Sequence, residues 1–350
     1  MQSCRQAVRR LPACSSRSFC ALPPAGVQVE DLDPLSADIW RHYMSYRQTN
    51  KTLQLKKELT EKLHTLILKQ LKGRDWDVMM SGSSISGLGH RDCDLDLVLL
   101  DGFSKSAGAA AKTHKQYQQN KSLDTLEFLQ HALTGTDLVS ECSLIAARTP
   151  LLHMSCAPPY DSFQVDLSAG SALPVRNTHL LYHYGRWDWR VRPLMLALKY
   201  WANTAGIKSA HEGTLSSYAL QLMLINFLQC GINPQLLPPL QVMYKRWFDN
   251  TVPIDRLVYS AKMFRPLHKP AKSSFSLGDL LRGFLHYYAH QFNYDNDAPF
   301  VNLNVAYAVY NQDVFDAILM SFRDAHARLT KPQARLHDIC KGDRVFSVVQ

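Results

Sequence analysis

The feature that most constrains this chain is the stretch from Val78 to Leu100. It opens with Val78-Met79-Met80, passes through a small-residue turn, Ser81-Gly82-Ser83-Ser84, and a glycine-containing connection, and ends in Asp94-Leu95-Asp96-Leu97-Val98-Leu99-Leu100. Side chains alternate between the faces of a strand, so Asp94 and Asp96 share one face while Leu95 and Leu97 take the other. Two carboxylates about 5 to 7 Å apart repel by about 2 to 3 kcal/mol in an effective dielectric of about 20. A divalent cation between them relieves that repulsion, and Mg²⁺ favours one or two carboxylates plus phosphate oxygens. Backbone N–H groups of the Gly82-Ser83 turn, leading into a helix, offer the phosphates an anion site. The stretch therefore predicts a strand, helix, strand unit suited to metal-dependent chemistry on a nucleoside triphosphate. Asp92 alternates with the same two acids, but His90-Arg91-Asp92 reads as loop, which favours the pair Asp94 and Asp96.

Around this unit the spacing of apolar residues sets out the other elements. Leu35, Ile39, Trp40, Tyr43 and Met44 predict a helix over 35–47 with Ser36 as its cap. A longer helix over 52–71 has Leu55, Leu59, Leu63, Leu66, Ile67 and Leu71 on one face and lysines on the other, and Gly73 ends it. Residues 101–121 read as a flexible surface insertion. A helix over 123–133 precedes strands over 138–147, 151–157 and 163–167, and the last of these carries Asp166 among apolar neighbours. Helices follow over 179–205, with a break near Arg192-Pro193, and over 215–228, 277–292 and 314–329. The result is an α+β fold, a small mixed-sheet domain followed by a mostly helical one, with the active cleft expected between them.

Charge and composition narrow the partners. The net charge is +9, of which Arg5, Arg9, Arg10 and Arg17 supply four before the first acid, Glu30. The rest of the chain keeps a moderate positive excess, compatible with a polyanionic partner. No run of about 18 apolar residues suggests a membrane span. The 8 cysteines form no C-x-x-C pair, which suits a reducing compartment with cysteines as small core residues. Residues 1–30 read equally as a disordered basic tail or as a mitochondrial transit peptide.

Taken together, Gly82-Ser83, Asp94-Leu95-Asp96 and Asp166 resemble the motif of the DNA polymerase β-like nucleotidyltransferase superfamily. Within it, Arg176-Asn177-Thr178, Val191-Arg192-Pro193-Leu194, Leu198-Lys199-Tyr200-Trp201-Ala202, Gly213-Thr214-Leu215-Ser216-Ser217-Tyr218 and the stretch from Leu277 to Tyr288 resemble the non-canonical, cytoplasmic-type poly(A) polymerases and their uridylyltransferase relatives. The resemblance covers residues 35–329. It implies a nucleotidyltransferase catalytic domain over 51–175, a helical nucleotide- and RNA-binding domain from 31–50 and 176–330, and a C-terminal tail over 331–350. It implies two-metal catalysis with Mg²⁺ or Mn²⁺ held by Asp94, Asp96 and Asp166, which activates a ribose 3′-hydroxyl and stabilises the leaving pyrophosphate. Asn177 would contact the ribose, Lys199 and Ser217 the triphosphate, and Tyr218 would stack on the base. The substrates implied are ATP and an RNA 3′ end.

The resemblance is incomplete near the C-terminal helix. There the family carries an acid-Pro-Phe-acid loop that helps read the base, whereas here Pro299-Phe300 are flanked by Ala298 and Val301, with Asn304 and Ala306 following. No histidine lies between Phe300 and Tyr310, where uridylyltransferases of the family place one, so adenylate is expected over uridylate. A uridylyl- or mixed-specificity enzyme, or a catalytically weak binding scaffold, are the alternatives. RNA contact through phosphates and stacking points to Lys262, Arg265, Lys269 and Lys272. Because no RNA-recognition module is apparent, an RNA-binding adaptor protein is expected to choose the RNA, in the cytoplasm or, if residues 1–29 are a transit peptide, in mitochondria.

Overall fold

The computed structural model describes residues 32–71, 75–102, 115–146, 149–209, 212–257, 274–292 and 311–340. In chain order the main elements are α1 (Pro34–Tyr46), α2 (Asn50–Gln70), β1 (Asp77–Met80), α3 (Gly82–Ser86), β2 (Leu95–Leu100), α4 (Lys115–Leu133), β3 (Val139–Ile145), β4 (Leu151–Cys156) and β5 (Gln164–Ala169). They continue with α5 (Leu173–Trp187), α6 (Val191–Thr204), α7 (Ser217–Asn226), α8 (Leu277–His286) and α9 (Gln312–Leu329). Both α7 and α8 run on into one wider π turn, Phe227–Gly231 and Tyr287–Gln291. The chain divides into two compact units: one contains residues 48–183 and the described part of 240–263, the other the described parts of 21–47, 184–239 and 264–350. No helix among the described residues is long and apolar enough to cross a membrane.

The first unit is built on a five-stranded sheet in the order β1-β2-β5-β4-β3. All neighbours are antiparallel except β2 and β5, which run parallel. One side of β2 places Leu95, Leu97 and Leu99 in a core with Leu59, Leu63 and Ile67 of α2 and Leu126, Leu129 and Leu133 of α4. Each such leucine contributes about 2 kcal/mol through the apolar area withdrawn from water. Its other side puts Val98 and Leu100 against Val175, Ile254 and Leu257. A strand buried on both faces explains why 97–100 reads as an unbroken apolar run. Asp96 sits at the start of that run and shares a face with Val98 and Leu100.

In the second unit, α1 is capped by Asp33, whose side chain accepts from Ser36 N–H at 3.1 Å. Ser36 was the expected cap; it lies inside the first turn and its Oγ instead accepts from Gly278 N–H at 2.8 Å. The helix break expected near Arg192-Pro193 falls earlier, at 188–190, because Asp188 Oδ1 accepts from the Arg190 backbone and guanidinium, both at 2.9 Å. Pro193 is thereby placed in the first turn of α6, where a missing N–H costs nothing. Residues 331–340, expected as part of a tail, are folded. Arg335 grips Asp38 of α1 with two hydrogen bonds of 2.7 and 2.6 Å, and Leu336, Ile339 and Cys340 are buried. The expectations for residues 1–30, the basic residues Lys262, Arg265, Lys269 and Lys272, and the Pro299-Phe300 loop lie outside the described residues.

Candidate active site

The parallel pairing of β2 with β5 puts Asp96 directly opposite Asp166, and the antiparallel pairing of β5 with β4 puts Asp166 opposite His153. A row of Asp96, Asp166 and His153 therefore crosses three adjacent strands on one face. Asp94 precedes β2 by one residue. Burial, then Asp166 and then Asp94, push the Asp96 carboxyl up from 3.8 to about 6. Burial and then Asp166 also raise Asp94. The charge of Asp166 thus reaches both Asp94 and Asp96. Asp92 does not join them: it sits in the turn before β2, exposed, and pairs with His90 at 3.3 Å and Arg91 at 3.5 Å.

Sequence reasoning had no place for a histidine, yet His153 Nδ1 lies 2.8 Å from Asp166 Oδ1. It is a single polar ring between Leu152 and Met154, whose side chains enter the core on the opposite face. The alternation of β4 could have marked it, but only the strand order brings it to Asp166. This contact orients one carboxylate oxygen of Asp166.

The Gly82 turn is required by close approach. Gly82 has φ +71°, and a Cβ there would lie 1.9 Å from Asp96 Oδ2. Both the left-handed backbone and the contact restrict the position to glycine. The amide hydrogens are otherwise engaged than the sequence reading supposed. Gly82 N–H donates to Thr178 Oγ1 at 2.7 Å, and the Ser83 backbone donates to the Asp96 carboxylate, which lowers its pKa and partly offsets its burial. The turn therefore presents Asp96 first, and the anion site read from Gly82 and Ser83 is partly occupied by the protein itself. Thr178 in turn donates to Pro174 O at 2.6 Å within α5.

A second residue missed from sequence lies beneath the turn. The lysines of α2 were expected on its solvent face, but Lys56 is 0% exposed. Its ammonium donates to Ser84 Oγ at 2.9 Å and to the carbonyl oxygens of Cys93 and Asp94. Gln48 adds a bond from Nε2 to Ser84 O at 2.9 Å. These contacts tie α3 to the segment entering β2, and the Lys56 charge lowers the pKa of both Asp94 and Asp96. Lys56 falls three residues after Leu53 and three before Leu59, both buried, so its helical phase was the available signal.

The remaining expected residues divide between the units. Asn177 is half-buried in the second turn of α5, beside Thr178, and so is not a helix cap. Lys199, Ser217 and Tyr218 belong to the second unit. Lys199 is half-buried near the end of α6; Ser217 opens α7, whose cap is Ser216, accepting from Ala219 N–H at 3.0 Å. Tyr218 is half-buried, and burial pushes its phenol up to about 12.

Residues 35–186 match the family model for the central palm domain of mitochondrial-like poly(A) RNA polymerase, and residues 276–298 match that of the Cid1 family poly A polymerases. Poly(A) RNA polymerase GLD2 of Mus musculus is 30% identical across 93% of this chain and 69% of its own length. The chain belongs to the non-canonical poly(A) polymerase family. Another member, poly(A) RNA polymerase gld-2 of Caenorhabditis elegans, is 31% identical across 88% of this chain. The chain spans only 34% of the length of that relative. A solved GLD-2/RNP-8 complex contains a chain 31% identical with a TM-score of 0.74, covering 90% of this chain and 99% of that one. Structures of Cid1 bound to its ApU product share the fold, with a TM-score of 0.66 at 20% identity.

The donor set fits a divalent metal ion. Three carboxylates are held together at the cost of a raised Asp96 pKa, and oxygen-only ligands suit hard cations of the Mg²⁺ or Mn²⁺ kind. Dependence on a divalent metal is accordingly a property of the fold family that these residues can satisfy.

Proposed function

We propose that the protein is a template-independent RNA 3′-terminal adenylyltransferase that uses ATP with Mg²⁺ or Mn²⁺. The single observation that carries this reading is the alignment of Asp94, Asp96 and Asp166 beside the Gly82 turn in a chain of this family. Asp94, Asp96 and Asp166 would hold the metal ions, whose charge would lower the pKa of a ribose 3′-hydroxyl and neutralise a leaving pyrophosphate. The chain itself does the positioning. Gly82 lets the turn lie against Asp96, His153 fixes Asp166, and Lys56 holds the segment that carries Asp94. In the same reading Asn177 contacts the ribose 2′-hydroxyl, Lys199 and Ser217 bind the triphosphate, and Tyr218 stacks on the base. Gly82 and Ser83 contribute to the triphosphate site through whatever donors the Asp96 and Thr178 contacts leave open.

An RNA-binding adaptor belongs to the proposal. It is supported by the solved relatives, which are complexes of GLD-2 with GLD-3 and with RNP-8. Cytoplasmic residence is proposed on the same kinship, and a reporter fused to residues 1–29 tests it, since mitochondrial import of the fusion would reject it.

The activity test uses purified protein, labelled oligo(A) RNA, Mg²⁺ or Mn²⁺ and each ribonucleotide separately. Extension with ATP is expected, with loss in Asp94→Ala. Equal extension with UTP would sink the base assignment. No extension with any nucleotide, even with an adaptor supplied, would favour a binding scaffold over an enzyme.

A further inference from the structure

Three histidines outside the carboxylate site converge in the second unit. His286 ends α8, His290 lies in the π turn that continues it, and His326 is in the last two turns of α9. Each offers one ring nitrogen, and these three atoms all lie within 4.8 Å of one another. The ring centroids are 5.2 Å apart for His286 and His290, 4.8 Å for His286 and His326, and 5.4 Å for His290 and His326.

Among the described residues, no hydrogen bond accounts for this grouping. Among the described residues His286 Nδ1 is buried with no hydrogen-bond partner, an unusual condition for a polar atom. Among the described residues the nearby acids are spent elsewhere: Asp279 pairs with Arg282 at 3.7 Å and Asp324 with Arg328 at 2.8 Å. Arg282 precedes His286 by one helical turn and donates from Nε to Leu329 O at 3.0 Å. That bond sets the stripe Arg282, His286, His290 along the last turns of α9, which is why His326 meets the other two rings. His286 and His290 are four residues apart and so neighbours on one helix face, and the wider turn at Tyr287–Gln291 falls at that place, as π turns frequently do at functional sites.

We propose that His286, His290 and His326 form a binding site for a single Zn²⁺ ion that ties the end of α8 to α9. Three imidazoles are a ligand set of the type zinc accepts, and soft or borderline nitrogen donors discriminate against the Mg²⁺ or Mn²⁺ of the carboxylate site. At Zn–N distances of about 2.0 to 2.1 Å, tetrahedral geometry brings the nitrogens to about 3.4 Å from one another. Ring rotations of the half-buried His286 and His326 and the exposed His290 close the remaining gap of about 1.4 Å. The fourth position stays open to water or an added ligand.

The test uses the full chain without a polyhistidine tag, stripped of metal, with Co²⁺ as a spectroscopic probe and Zn²⁺ as competitor. One equivalent of Co²⁺ is expected to give the visible bands of a tetrahedral site, and one equivalent of Zn²⁺ to remove them. His290→Ala and His326→Ala each weaken Co²⁺ binding by about tenfold or more. His290→Cys, which keeps a ligand at an exposed position, retains binding and adds sulfur-to-cobalt charge transfer. Asp96→Asn leaves the bands unchanged, so the outcome is independent of whether the carboxylate site is active. Zn²⁺ raises the melting temperature of the parent protein and not of His326→Ala. Absence of tetrahedral bands at any Co²⁺ concentration overturns the proposal, as do bands that survive both alanine substitutions or vanish in Asp96→Asn.

Discussion

Replacing Asp96 with asparagine should make the metal-free protein more stable while abolishing its activity. The Asp96 carboxyl is pushed from 3.8 to about 6 by burial and by the charges of Asp166 and Asp94. At about 1.4 kcal/mol per pKa unit, that shift places about 3 kcal/mol against ionising Asp96 in the folded state. Asp96 is half-buried, and solvent screening reduces the expected gain to about 1 to 2 kcal/mol. The direction with pH follows from proton linkage. Between about 4 and 6 the folded protein holds a proton on Asp96 that the unfolded chain has released, so this group's contribution to stability falls as pH rises through that window. Urea unfolding in chelator at pH 7.5 should therefore show Asp96→Asn to be the more stable form, and the difference should vanish below pH 4, where both side chains are neutral. Saturating Mg²⁺ should stabilise the parent protein and not the variant, narrowing or reversing the gap. If Asp96→Asn were no more stable than the parent in chelator at pH 7.5, the account of a strained carboxylate cluster would be wrong.

Other perturbations test the supports of the same cluster. Because protons and cations compete for Asp96, the Mg²⁺ concentration needed for half-maximal extension should rise as pH falls through about 6, which a titration at pH 5.5 and 7.5 would detect. Gly82→Ala forces a Cβ to within 1.9 Å of Asp96 Oδ2 in a left-handed backbone, so kcat should drop by about a hundredfold, with extension kinetics as the measure. His153→Ala removes the 2.8 Å contact to Asp166 and should raise the Mg²⁺ requirement by about ten- to a hundredfold while far-UV circular dichroism stays unchanged. Lys56→Met leaves Ser84 Oγ and the Cys93 carbonyl without their buried donor and should destabilise the fold by about 1 to 3 kcal/mol in urea, even in chelator.

The helices and strands were legible because their signals are local. Alternation along Leu95 to Leu100 and helical spacing across Leu59, Leu63 and Ile67 report which face meets a core, whatever that core is. Helix ends were less legible. Asp33, not Ser36, caps α1, and a carboxylate three residues from a serine leaves either able to close the turn until Gly278 N–H claims the serine oxygen. The solvent face assigned to the lysines of α2 failed at Lys56 and at its neighbour Lys57, both buried. A lysine is buried only where enough acceptors converge, and Ser84 Oγ with the Cys93 and Asp94 carbonyls comes from a segment about 30 to 40 residues further along the chain.

What the sequence determined by itself is the set of acids and the strand that carries two of them, since the period of two is a property of the backbone. Asp94, Asp96 and Asp166 could be named without coordinates. Only the tertiary structure decided that β5 runs parallel beside β2, and this registers Asp166 with Asp96 and brings His153 from β4 onto Asp166. Likewise, the reason for glycine at position 82 is a carboxylate that folding brings into contact with its Cα, and the grouping of His286, His290 and His326 depends on α9 packing along α8. Sequence spacing records which side of an element a residue occupies. Strand order and helix packing set what it meets there, because those follow from how whole faces are buried against one another.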